Sequence, residues 1–189
     1  MGQTLWFASR ATGLVALTLL TLSLVLGIVG AGRVAGPRWP RFALGALHRN
    51  ISMLTMVFLA VHIASSIIDP YAGIAWVDAV VPFVSVYHPL WLGLGTVAFD
   101  LLLALMVTSM LRTRLSYGVW RAVHWTGYAC WPVALVHGLG IGGKDSSLGW
   151  VISLNVTCAL VVLVALVWRL RMARHPDTEV RRVAGTGGR

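Results

Sequence analysis

Uncharged apolar windows alternate with short polar connections along this chain, and each window has about the 20 residues that a helix needs to cross a bilayer. Five such windows occur, over approximately Leu5–Val29, Leu47–Ile68, Leu90–Leu111, Trp120–Leu139 and Trp150–Arg169, bounded by Arg, Gly, Pro or Asp. The pattern predicts an all-α fold, a polytopic membrane bundle of about five transmembrane helices. A further apolar stretch, Ile74–Val86, is too short to span and is interrupted by Asp78 and Pro82. It reads as an interfacial or re-entrant cap, flanked by Tyr71, Trp76, Tyr87 and Trp91 as aromatic residues flank a membrane surface.

Composition agrees and excludes a soluble globule. Of 189 residues, 58% are hydrophobic and 11% charged, against roughly 25% charged in an ordinary soluble domain. The net charge of +9 does not point to nucleic acid, because the Arg residues stand in short clusters beside the spans and form no basic face interleaved with aromatics. They read as topology signals. Cytoplasmic connections carry the Lys and Arg excess, which places Arg33, Arg38 and Arg41, then Arg112 and Arg114, then Arg169, Arg171, Arg174, Arg181 and Arg182 inside. Asp69–Pro89 has no basic residue, and the connection after the fourth span has only Lys144, beside Asp145. These belong outside, so the N-terminus is expected outside and the C-terminus in the cytoplasm. No positive cluster precedes the first apolar run, and Ala11–Gly32 exceeds a signal core of roughly 7–15 residues, so the run reads as a membrane helix. Cys130 and Cys158 both lie in apolar windows and read as packing residues, with neither a disulfide framework nor a cysteine metal site.

Ionisable groups in a bilayer are costly and mark function by default, so the histidines carry the chemistry. His88 falls in the outer loop and His175 in the tail; the remaining four divide between the second span (His48, His62) and the fourth (His124, His137). His48 and His62 are 14 residues apart, which returns within about 40° of one direction and separates the rings by roughly 21 Å along the axis. They share a face but not an ion. The second and fourth spans run the same way, so His48 matches His124 in depth near the inner end and His62 matches His137 near the outer end. Two bis-histidine sites follow. An iron porphyrin held between facing neutral imidazoles needs such a pair and an apolar cleft, whereas zinc would need more ligands per site. With no C-x-x-C-H, the haem is expected to be non-covalent and b-type. His124 and His137 are only 13 apart, roughly 140° out of phase on an ideal helix. Pro132 between them offers a kink or change of winding.

H-x13-H on one helix with H-x12-H on the next but one resembles the ferric reductase-like transmembrane domain, the superfamily of NADPH oxidases and ferric reductases. The opening W-F-A-S-R-A-T-G, with Trp6, Arg10 and Gly13, is similar to the start of small bacterial members. The resemblance covers roughly residues 3–170. It implies two haem b, with His48 and His124 as axial ligands of the inner iron and His62 and His137 of the outer, and electron transfer across the bilayer. Residues 1–170 are then the di-haem domain and 171–189 a short basic cytoplasmic tail, expected to be disordered. Oxidases and eukaryotic reductases of the family usually have six helices and a cytosolic flavin and nicotinamide domain, whereas here five spans are counted and no such domain is found. The donor is therefore expected to be a separate flavoprotein reductase or a quinol, and the chain a membrane subunit of an oxidoreductase system. A bacterial subgroup of similar size works with a periplasmic methionine-sulfoxide reductase and can bind FMN. Nothing in this sequence selects that outer acceptor over iron or oxygen, and no flavin-site residue can be assigned.

Haem propionates are anionic and Arg suits carboxylates. Arg49 follows His48 and Arg121 precedes His124 by three, so both are candidates for inner propionates and equally for cytoplasmic anchors. Arg10 lies in the outer half of the first span, where a charge needs a partner; an outer propionate is favoured, with Asp100 of the third span as the main alternative. Asp100 could equally serve a proton route or an interhelical hydrogen bond, and His88 reads as an interfacial surface residue. Gly45, Gly127 and Gly138 could admit porphyrin rings or simply pack helices. Against the electron-transfer reading stand a haem-free transporter or scaffold using buried Arg, Asp and His, and a quinol-oxidising cytochrome b.

Overall fold

The computed structural model describes residues 2–31, 41–70 and 73–173. Arg33, Arg38, Tyr71, Arg174, His175, Arg181 and Arg182 lie outside the described residues. Among those described there is no strand. Six helices follow in order: α1 (Gly2–Ala31), α2 (Arg41–Ile68), α3 (Pro89–Met110), α4 (Tyr117–Trp125), α5 (Gly127–Ile141) and α6 (Gly149–Ala173). α1, α2, α3 and α6 are each long and apolar enough to cross a membrane, and the chain is a multi-pass membrane protein.

The expected fourth span, Trp120–Leu139, is not one helix. It divides at Thr126 into α4 and α5, where the Thr126 amide bonds back to the Val123 carbonyl at 2.9 Å instead of continuing the i−4 ladder. This tighter turn lies between His124 and His137. Pro132 sits inside α5 without breaking it, so the change of winding expected at Pro132 occurs at Thr126.

Packing leaves a cleft. α2 packs extensively only along α1, α3 packs on α5, and α1 also meets α5 and α6. A core lies between α1, α5 and α6, where Trp131, Cys158 and Val162 are buried against Leu20, Leu24 and Leu135. Trp131 Nε1–H donates to the Thr21 hydroxyl at 2.8 Å, joining α5 to α1. Both cysteines are free and buried, as packing residues should be. Large aliphatic side chains such as Val57, Leu163 and Val164 point outward, which lipid tolerates because it is as apolar as they are.

The Ile74–Val86 stretch is a short 3-10 turn, Trp76–Ala79, set among exposed Val77, Val80, Phe83 and Val86. Its one carboxylate turns inward. Asp78 is buried, accepts the Ala75 amide at 2.9 Å, and offers its backbone carbonyl to the Thr96 hydroxyl at 2.7 Å, which pins the cap to α3.

Candidate functional site

The four span histidines meet in the two pairs expected. His48 of α2 faces His124 of α4 with ring centres 6.3 Å apart and planes at 74°. His62 of α2 faces His137 of α5 at the same 6.3 Å and 78°. No hydrogen bond joins the rings within either pair among the described residues. An imidazole nitrogen binds a transition metal at about 2 Å and lies about 1.2 Å from its own ring centre, so two imidazoles on opposite sides of one ion have centres roughly 6.4 Å apart. Both pairs match that separation. No group of three or more His, Cys, Asp or Glu gathers among the described residues. Two nitrogens per site is the number an iron porphyrin leaves open.

Three of the four rings are held by backbone. His48 Nδ1–H donates to the Ser23 carbonyl at 2.9 Å, His62 Nδ1–H to the Ser9 carbonyl at 2.7 Å, and His137 Nδ1–H to the Trp91 carbonyl at 2.7 Å. A bond of this kind fixes the tautomer and frees Nε2 as the ligating atom. Each α2 site is framed alike: the Ser23 and Ser52 hydroxyls lie 2.6 Å apart beside His48, as those of Ser9 and Ser66 do beside His62. Glycine makes the room. A Cβ on Gly13 would stand 3.0 Å from the His62 ring, one on Gly27 3.5 Å from the His48 ring, and one on Gly95 2.5 Å from the His137 ring. His124 differs, for its Nδ1 is buried without a hydrogen-bond partner and its ring stacks on Trp120 at 4.9 Å.

Sequence reasoning missed this frame, although its signal was present. S-x3-G occurs at Ser9–Gly13 and again at Ser23–Gly27, and H-x3-S at His48–Ser52 and His62–Ser66, each repeated after 14 residues. α1 and α2 thus carry one half-site twice. Of the glycines expected to admit a ring or pack helices, Gly45, Gly127 and Gly138, none stands at a histidine ring, whereas Gly13 of the opening run does. Nothing stands within 4 Å of a Cβ at Gly45 or Gly138, and Gly127 faces Leu105, a helix contact.

A largely apolar cavity of about 420 Å³ opens beside His62 and His137. Arg10, Asp78 and Asn155 give it polar points. Arg10 thus lies beside His62 and His137, and its ionic partner is Asp145, with Nε 3.8 Å from Oδ2, while its guanidinium lies 4.2 Å from the Trp6 ring centre. The Arg10–Asp100 alternative does not form. Asp100 makes no ion pair among the described residues, being on α3 while Arg10 turns to the 3-10 turn at Gly143–Ser147. Arg49 and Arg121 are exposed and line no part of this cavity. His88 is exposed at the start of α3, edge-on to Tyr87.

The family model described as ferric reductase like transmembrane component matches residues 12–135, from the first half-site to within two residues of His137. No curated protein matches the chain.

Proposed function

This chain belongs to the ferric reductase-like transmembrane family, and from that premise we propose that it is the di-haem membrane subunit of an electron-transfer system. It takes electrons from a cytoplasmic-side donor, a separate flavoprotein reductase or a quinol, and passes them to an outer-side acceptor. The observation that carries this reading is the equal 6.3 Å separation in two histidine pairs borne by helices that do not pack extensively on each other. Haem b, when bound, supplies reversible one-electron chemistry at each pair.

The chain's own residues do the rest. His48 with His124, and His62 with His137, present ligating nitrogens from opposite walls of the cleft. The carbonyls of Ser9, Ser23 and Trp91 hold three of those rings in one orientation. Gly13, Gly27 and Gly95 keep side-chain bulk away from the rings. Arg10 offers the cation for a propionate beside His62 and His137, and Arg49 and Arg121 serve the other pair from the cytoplasmic face. The apolar walls exclude water, which favours electron transfer over side reactions.

Purified full-length chain should contain two low-spin b-type haems by pyridine haemochrome assay. His→Ala at either member of one pair should leave one haem. A substoichiometric haem content that all four substitutions leave unchanged would overturn the reading.

A further inference from the structure

His124 stands apart from the other three imidazoles. Each of those donates its Nδ1–H to a backbone carbonyl at 2.7–2.9 Å. His124 Nδ1 has no such acceptor among the described residues although the atom is buried. In place of a carbonyl it has an aromatic shelf: Trp120, one turn earlier on α4, stacks on it at 4.9 Å and 20°, and the Arg112 guanidinium lies 4.5 Å from the centre of the same indole.

The difference has an electronic sense. A carbonyl accepting the distal proton pushes electron density into the imidazole and makes it a stronger donor, which favours the oxidised metal. An imidazole without that acceptor donates less, and the Arg112 cation over the adjoining indole disfavours the extra positive charge of the oxidised state, whereas the cation beside the other pair, Arg10, is offset by Asp145 at 3.8 Å. We infer that the two pairs are tuned apart, with the His48–His124 site holding the higher reduction potential and Trp120 acting as a positioning residue that keeps His124 Nδ1 from an acceptor. The His62–His137 site, with both ligands carbonyl-bonded, holds the lower one. With haem bound at both pairs, the His48–His124 site would be the one favoured to hold an electron, and passage onward to the His62–His137 site would be uphill and assisted by an inside-negative membrane potential.

This inference rests on the di-haem reading, and a spectroelectrochemical titration of the full-length protein separates their fates. Wild type should show two one-electron waves. His48→Ala should keep only the lower wave and His62→Ala only the upper; the reverse assignment overturns the inference while leaving the di-haem reading intact. Trp120→Leu tests the same order without touching a ligand. It opens His124 Nδ1 to water, so the upper wave should fall and the lower stay in place; an unmoved upper wave overturns the role of Trp120. Wild-type protein with no haem waves removes the di-haem reading and this inference with it.

Discussion

Gly95 on α3 lies beneath the ring of His137 on α5, so close that a Cβ there would stand 2.5 Å from the imidazole Cε1. Contacts of that kind force the neighbour to move, and here the neighbour is an imidazole proposed as a haem ligand, whose other side is tied to the Trp91 carbonyl. Gly95→Ala should therefore cost the outer haem while sparing the inner. The same change at Gly13, at 3.0 Å from His62, should weaken outer haem retention partially, and at Gly27, at 3.5 Å from His48, should be tolerated. Haem content of the three variants, read as Soret absorbance per protein, should rise in the order Gly95, Gly13, Gly27.

Arg10 and Asp145 are expected to separate charge from structure. Their side chains are 25% and 47% exposed at 3.8 Å, a pair that solvent screens to well under 1 kcal/mol. Asp145→Asn should leave thermal stability and haem content close to wild type. Arg10→Gln should leave stability similar but loosen the outer haem, seen as faster loss of the His62–His137 component to apomyoglobin. Equal haem loss from both variants would remove Arg10 from the propionate role.

Trp131→Phe keeps the ring in the α1–α5–α6 core and deletes the bond to the Thr21 hydroxyl. Interhelical hydrogen bonds in membranes are worth about 0.6 kcal/mol on average and at most about 1.7 kcal/mol. The variant should be destabilised by about 1 kcal/mol in a denaturing-detergent titration, with both haems retained.

Pro132→Ala is expected to keep both haems at wild-type stoichiometry, because the winding that brings His124 and His137 into line is set at Thr126. Loss of the outer haem in that variant would return the phase change to the proline.

The reach of sequence reasoning follows from what each feature depends on. Four of the five expected spans and the histidine pairing were legible because hydropathy and a spacing of 14 are one-dimensional. The break at Thr126 was not, since Thr and Gly both occur within membrane helices and only the 140° mismatch showed that a break was needed. The Ser9 and Ser23 carbonyls, like that of Trp91, were invisible for a simpler reason: a backbone acceptor has no letter in the sequence. Their side chains and glycines did leave a repeat, but on α1, a helix that holds no histidine to point to it. Arg10 found its depth from sequence and not its partner, because Asp145 lies 135 residues away across a turn whose geometry hydropathy does not encode.

The twofold use of α1 against α2 has a mechanical side. Ser9 and Ser23 hang from one rigid helix, and the imidazoles they hold hang from another. Any slide of α1 along α2 carries both acceptor carbonyls away together, and inserting one residue into either helix between its two sites would swing one half-site about 100° around the axis. The two histidine pairs therefore share a single register, like two teeth on one key, and neither can be reshaped by insertion without a matching change in the facing helix.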